Sequence, residues 1–139
     1  MTLAIESIIS TLNTKLTTSG FLPMREFSAV DSLVHPDDML GVIRLENCSV
    51  VGQALENENL TFCIETDYRL DIHLFGKSGD FVDYETFSTA CTQLFYDIVR
   101  DGSLIICKME MSGASQSMPL RRLERIMSVT VRALERPGV

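Results

Sequence analysis

Residues 62–74 alternate between apolar and polar side chains, and this pattern constrains the fold more than any other feature of the chain. Successive side chains of a β-strand point to opposite faces of a sheet. A period of two therefore predicts one long strand with a buried face and a solvated face. The face predicted to be buried holds Phe62, Ile64, Thr66, Tyr68, Leu70, Ile72 and Leu74, and the other face holds Cys63, Glu65, Asp67, Arg69, Asp71 and His73.

Two segments, at residues 3–18 and 83–101, have the spacing of amphipathic helices. Apolar residues recur there every three or four positions, which places them along one stripe of a helix. Gly20 suits the end of the first helix, while Asp83 suits the start and Gly102 the end of the second. The stripes contain Ile5, Ile8, Ile9, Leu12 and Leu16 in the first helix and Phe87, Ala90, Cys91, Leu94, Phe95 and Ile98 in the second.

The remaining strands have weaker signals. Small residues at 112–117 predict a flexible loop between the last two strands. Further strands are predicted around 24–30 and at 39–45, 48–55, 103–111 and 120–134. The segments 39–45 and 48–55 could instead form one bent strand. Alternation predicts a common face for Ile105, Cys107, Met109 and Met111, and an inward face for Leu123, Met127, Val129, Val131 and Ala133.

The element order is helix, several strands, helix, two strands, with short links that favour antiparallel neighbours. Both helices have an apolar stripe to cover, and one face of the sheet can cover both. We therefore predict an α+β fold: a single two-layer domain over residues 1–139, with a mostly antiparallel sheet and two helices packed on one face. No internal repeat or linker divides the chain.

The net charge of −7 argues against binding nucleic acid through phosphate neutralisation, which needs clustered Lys and Arg. No apolar run reaches the ~18 residues of a membrane span, and no basic leader precedes an apolar segment. The charge is unevenly distributed, because residues 1–112 carry 7 basic and 17 acidic side chains whereas residues 113–139 carry 5 Arg and 2 Glu. Such an asymmetry favours head-to-tail association of identical subunits, although it also fits a solvated Arg-rich strand.

No local motif marks a catalytic, cofactor or metal site. The four cysteines, Cys48, Cys63, Cys91 and Cys107, form no C-x-x-C pair and lie in apolar segments, which predicts buried free thiols. The charged face of the long strand, from Glu65 to His73, could resemble a metal or acid–base site. We interpret it as a solvated strand face and expect added divalent metals to leave the melting temperature unchanged.

The order of elements resembles that of the tail terminator, or tail completion, proteins of long-tailed bacteriophages. The similarity runs from about residue 3 to 134 and includes a long strand that ends at residues 68–76, an acidic-capped helix, a Gly/Ser loop and a final strand at 125–131. It depends on element order and length, because no diagnostic motif is present.

The resemblance implies a structural protein that is not an enzyme and binds no cofactor. Such proteins assemble as a ring, typically hexameric, on the head-proximal end of the tail tube, where they stop tube polymerisation and meet the head–tail connector proteins. The implied location is the neck of the virion or prophage particle, after synthesis in the bacterial cytoplasm. DNA would pass through the ring without specific binding, and an acidic body suits that passage. The alternatives are another neck or head–tail joining component, a small acidic binding or chaperone module, and a small enzyme using the polar strand face.

The charge asymmetry also leads to a prediction for the contact between subunits. We expect the basic C-terminal hairpin, especially Arg121, Arg122 and Arg125, to meet an acidic surface of the neighbouring subunit. Replacing Arg121 and Arg122 with Glu would then shift the protein toward monomer in light scattering.

Overall fold

The computed structural model describes residues 4–25, 38–56, 61–76, 81–117 and 122–135. Within them a mostly antiparallel sheet has the strand order β1-β2-β3-β6-β4, with β5 beside β6. The predicted α+β domain is confirmed. The elements are α1 (Ala4–Thr18), β1 (Phe21–Met24), β2 (Met39–Glu56), β3 (Thr61–Phe75), α2 (Phe81–Val99), β4 (Ile105–Met111), β5 (Ser115–Ser117) and β6 (Arg122–Glu135).

The long alternating strand is β3, and it lies in the middle of the sheet between β2 and β6. Its even positions from Thr66 to Leu74 are buried, as predicted, beneath the two helices. Directly opposite them on β6 lie Met127, Val129 and Val131, which are also buried. The core therefore forms between one face of the sheet and the apolar stripes of α1 and α2.

Both predicted helices are present, with differences at their ends. Gly20 follows α1 with a φ of 93°, a left-handed conformation that favours glycine and ends the helix as expected. The second helix begins at residue 81, so Asp83 lies in its first turn and is not the cap. It also ends at Val99, before Gly102, because the N–H of Asp101 donates to the carbonyl of Ile98, three residues back, and no longer follows the i→i−4 pattern. The predicted start and end of α2 were therefore wrong by two residues.

The strand predictions need four corrections. Residues 39–56 form the single bent strand, β2, with register shifts after Leu45 and Val50. The first strand lies at Phe21–Met24, while the predicted segment 24–30 falls mainly outside the described residues. Part of the loop at 112–117 pairs with β6 as β5. A register shift between Ile106 and Lys108 changes which positions of β4 point to the core. Ile106, Met109 and Met111 pack against the core, while Ile105 and Cys107 are exposed.

The C-terminal end of β6 holds the beginning of α1. The Glu135 carboxylate accepts the backbone N–H of Ala4 at 3.1 and 3.2 Å and the hydroxyl of Tyr68. Burial and the neighbouring Glu135 carboxylate both raise the pKa of the Tyr68 hydroxyl. A side chain distant in sequence thus supplies an acceptor to the first turn of α1, where N–H groups have no helical partner.

Replacing Glu135 with Ala is expected to lower the free energy of unfolding by about 1–2 kcal/mol, the usual effect of losing a helix cap. Amide exchange in the first turn of α1 should also accelerate. Glu6→Ala is the matched control, because this exposed carboxylate lies in the same turn and should contribute only about 0.5 kcal/mol. Equal losses for the two variants in urea unfolding would contradict a specific role for Glu135.

Candidate assembly surface

Over most of its length the sheet face opposite the helices is polar, and we call this polar part the open face. At one end of the same face Leu40, Val42 and Phe75 form a separate buried apolar cluster. Its charged and ionisable residues come from four strands, and several form ion pairs between neighbouring strands. Because the helices cover only the other face, these side chains interact mainly with one another and with solvent. The open face contains Arg44, Glu46, Glu65, Asp67, Arg69, Asp71, His73, Lys108, Glu110, Glu124 and Arg132.

The best-formed pair on the open face joins Asp67 of β3 to Arg132 of β6. Arg132 donates from Nε at 2.8 Å and from Nη2 at 3.1 Å to the two carboxylate oxygens of Asp67. Glu65 lies 3.4 Å from the same Nε. Hydrogen bonding by the guanidinium lowers the pKa of the Asp67 carboxyl, and the carboxylate in turn raises the pKa of Arg132.

The lowered pKa of Asp67 predicts a pH-dependent contribution to stability. Because the carboxyl binds its proton less readily in the folded protein, the contribution is complete above its usual pKa near 3.8. It is lost as the pH falls through the lower folded-state value. We expect Asp67→Asn to destabilise the protein at about pH 5 and the difference from the native protein to be smaller at about pH 3, below the usual pKa of the carboxyl. Urea unfolding at both pH values measures this, and a difference that stays constant would contradict it.

Three ionisable groups of the open face lie close together. The donor atoms of Glu46, Asp71 and His73 lie within 4.8 Å of one another. Each has another neighbour: Glu46 lies 3.7 Å from Arg44, Asp71 accepts a hydrogen bond from the Ser128 hydroxyl at 2.8 Å, and His73 Nδ1 lies 3.5 Å from the Glu124 carboxylate. These contacts fit the ion-paired part of the interpretation, but the side chains of Asp71 and His73 are each only 15% exposed, so this part of the face is not fully solvated. That the cluster binds no metal remains a prediction that the metal titration tests.

Of the three arginines predicted to form the subunit contact, Arg121 lies outside the described residues. Arg125 is half-buried on the helix side of β6, opposite Leu74, and donates from Nε to the carbonyl of Ser112 at 2.9 Å. It is not brought together with Arg122, whose side chain is only 1% exposed.

Arg122 points into its own subunit. Its Nη1 donates to the carbonyl oxygens of Asp38 at 2.8 Å and Gly76 at 3.0 Å. It thereby joins the beginning of β6 to the residue that precedes β2 and the residue that follows β3. A buried guanidinium held by two carbonyls offers nothing to a neighbour, so we withdraw Arg122 from the predicted contact.

The cysteines divide into two kinds. Cys63 and Cys91 are buried, as predicted, whereas Cys48 and Cys107 are exposed, contrary to the prediction. Burial raises the pKa of the Cys91 thiol to about 12, which makes it a poor nucleophile at neutral pH. The exposed pair lie on the two edge strands of the sheet, Cys48 on β2 and Cys107 on β4.

The two edges of the sheet are the main feature that the sequence analysis missed. Among the described residues, β1 pairs with β2 only as far as Val42, and no strand lies beyond β4. Residues 44–51 of β2 are all exposed, and they include the apolar Leu45, Val50 and Val51, which are 45–58% exposed. An edge strand with exposed apolar side chains can serve as a template for pairing with another strand, even where charges and a bulge partly protect it. The sequence of a strand does not show whether another strand pairs with it, so the sequence analysis could not identify these edges.

Comparison with known proteins assigns no family to the chain. Neither a scan against protein-family models nor a search of curated proteins gives a match. Within the described residues, no helix has the length and apolar character needed to cross a membrane. The function is therefore inferred from the two edges, the polar open face and the charge distribution of the chain itself.

Proposed function

We propose that this protein is a tail terminator of a long-tailed bacteriophage or prophage. In this role it is a structural protein that forms a ring on the end of the tail tube, ends tube polymerisation and provides the surface to which the head–tail connector binds. It acts by fitting surfaces together and catalyses no reaction. Its place is the neck of the virion, after synthesis in the bacterial cytoplasm.

The observation that carries the proposal is the pair of edges, on opposite sides of one sheet, that no strand among the described residues covers. A contact between two different surfaces of identical subunits repeats from copy to copy, and it closes into a ring when the rotation per subunit allows. Natural proteins usually protect edge strands with charge, bulges or covering segments. The β2 edge has charges and bulges of this kind, but it also exposes Leu45, Val50 and Val51, as expected for an edge that is covered in an assembly.

The charge of the chain supports the same role. A ring around passing DNA must not hold the phosphates, and a net charge of −7 makes tight phosphate binding unfavourable. Among the charged residues of the open face, six are acidic and four are basic, and many are paired. Such a surface suits a wall that DNA slides past.

The proposal is tested by mixing the purified protein with the tail-tube protein encoded in the same gene cluster. Negative-stain electron microscopy should show rings bound at tube ends, and the length distribution of growing tubes should stop shifting once the protein is added. Native mass spectrometry of the protein, alone and on tubes, should give a closed species of five or more copies. A stable monomer that leaves tube growth unchanged would overturn the proposal.

A further inference from the structure

We infer that the β4 edge of one subunit pairs with the β2 edge of a second copy of this chain, in an antiparallel register that places Glu110 opposite Arg44. This inference specifies the subunit contact of the ring, and it rests on the proposed function only for the role of that ring. The β4 edge is Ile105–Met111, and the β2 edge is the part of β2 beyond Val42.

The directions of the strands allow this pairing. β2 runs antiparallel to β3, β3 runs antiparallel to β6, and β6 runs antiparallel to β4. β4 therefore runs opposite to β2 within each subunit. When the next subunit continues the sheet in the same orientation, its β4 lies antiparallel to the first subunit's β2, the pairing that is the more stable per residue.

Both edges contain a bulge, and one register brings the two bulges together. The register of β2 shifts between Leu45 and Asn47, and that of β4 shifts between Ile106 and Lys108. With Arg44 opposite Glu110, Leu45 faces Met109. The two bulges then lie opposite each other in the contact. Side chains on the helix side of one strand therefore meet helix-side chains of the other both before and after the bulges, and the same holds for the open side. A slip of one residue would put apolar side chains of one strand beside polar side chains of the other.

The charges on the two edges also favour this register over the alternative registers. Arg44 lies 3.7 Å from Glu46 on one edge, and Lys108 lies 3.4 Å from Glu110 on the other. In the inferred register Arg44 faces Glu110 while Glu46 comes beside Lys108, so both pairs attract across the interface. A slip of two residues separates the two bulges and opposes Glu46 to Glu110 or Arg44 to Lys108, and directly opposed like charges destabilise a sheet.

The helix side of the contact is apolar. Leu45 would cover Met109, Cys48 would cover Ile106, and Val50 would reach Leu104. Leu104 lines a groove of about 270 Å³ between α1 and the β4 edge. Since Val50 is 58% exposed in the single subunit, seating it there would remove apolar surface from water.

Disulfide trapping tests the register directly. The background is the full chain with both exposed cysteines replaced, Cys48→Ser and Cys107→Ser. Adding Arg44→Cys and Glu110→Cys places two thiols on opposed positions of the open face, where antiparallel Cα atoms lie within the ~4.4–6.8 Å that a disulfide spans. Oxidation, with and without the tube protein, should give a non-reducing ladder of covalent oligomers that ends at the ring. Each single-cysteine variant should give no ladder.

Other outcomes overturn the inference. Covalent dimers from Arg44→Cys alone would mean that β2 pairs with β2 in a two-fold dimer. Absence of a ladder in both conditions would mean that the edges do not meet. Rings that bind tube ends without a ladder would leave the proposed function intact and refute only this contact. A ladder in a protein that ignores tubes would keep the contact and refute the function.

A charge exchange provides a second readout without cysteines. Glu110→Arg opposes two arginines and should weaken association at least about fivefold in analytical ultracentrifugation. Adding Arg44→Glu to the same chain should restore most of the loss. Failure of the second change to rescue the first would contradict the pairing, provided that circular dichroism shows each variant to be folded.

Discussion

Replacing Arg122 with Met is expected to lower the free energy of unfolding by about 3 kcal/mol. Met fills much of the same space, so the loss reports the missing guanidinium and not a cavity. The carbonyl oxygens of Asp38 and Gly76 would lose a donor that lies 2.8 and 3.0 Å away. An unsatisfied buried acceptor costs about 1–3 kcal/mol, and the Gly76 carbonyl is such a group, while the Asp38 carbonyl, at an exposed residue, adds a smaller loss.

Three chain segments depend on this side chain. Arg122 begins β6, Asp38 precedes β2 and Gly76 follows β3, and the Gly76 N–H also donates to the carbonyl of Leu123 at 2.9 Å. The Gly76 site is tightly packed, because a Cβ there would lie 3.1 Å from the Phe87 ring. Loss of the guanidinium should therefore loosen the end of the sheet where these segments meet, and amide exchange should accelerate there first.

Arg125→Met is the matched control, because this arginine lies three residues along the same strand and donates a hydrogen bond to Ser112 at an exposed site. It should cost about 1 kcal/mol or less in urea unfolding. Arg122→Lys adds a second comparison, since it keeps the charge but presents a different donor geometry. If Arg122→Met lost no more stability than Arg125→Met, the two carbonyl contacts would not matter to the fold.

The burial of Arg122 also changes how a charge-reversal experiment should be read. A carboxylate at this position would face two carbonyl oxygens and would unfold the region, whatever the subunit contact is. Loss of oligomers after changing Arg121 and Arg122 together would therefore not identify an interface. Changing Arg125 alone tests the hairpin more cleanly, since its hydrogen bond to the Ser112 carbonyl lies at an exposed site.

The fold could be predicted wherever the pattern was local. The alternation of β3 and the apolar stripes of α1 and α2 depend only on spacing within one segment. The stripes are confirmed, and so is the alternation from Thr66 to Leu74, whereas Cys63, predicted on the solvated face, is buried. Met109 and Met111 share a face of β4 as predicted, but Ile105 and Cys107 do not join them, because the bulge after Ile106 is set by its pairing with β6. The alternation of apolar and polar residues in one strand cannot predict a bulge, because the bulge depends on how that strand pairs with its neighbour.

The candidate surface was less predictable than the fold. The charge asymmetry predicted association between subunits, and it predicted Arg122 as part of the contact. Most arginines in proteins are exposed, but Arg122 is buried in this structure. The open edges depend on which strands end the sheet, and that is a property of topology. The complementary order of charges at Arg44, Glu46, Lys108 and Glu110 is visible in the sequence only once the strands are known to be edges.

Replacing Gly41 with Val is expected to lower the free energy of unfolding by about 2–3 kcal/mol through overpacking. A Cβ at this position would lie 2.8 and 3.0 Å from the two δ-methyl carbons of Leu16, closer than such atoms pack. Leu16 is 0% exposed, so its methyls have little room to move away. Gly41 thus sets how closely the end of α1 can approach β2.

A double-mutant cycle tests this contact. Leu16→Ala alone should cost about 3 kcal/mol, because it leaves a cavity under α1. The chain with both changes should lose at least about 1 kcal/mol less than the two single losses combined, since the Val side chain occupies space that Leu16 has vacated. Additive losses in urea unfolding would mean that the two positions do not share that space.

The result bears on assembly too, because α1 forms one wall of the groove beside Leu104, and a helix shifted by Gly41→Val should weaken any contact made there.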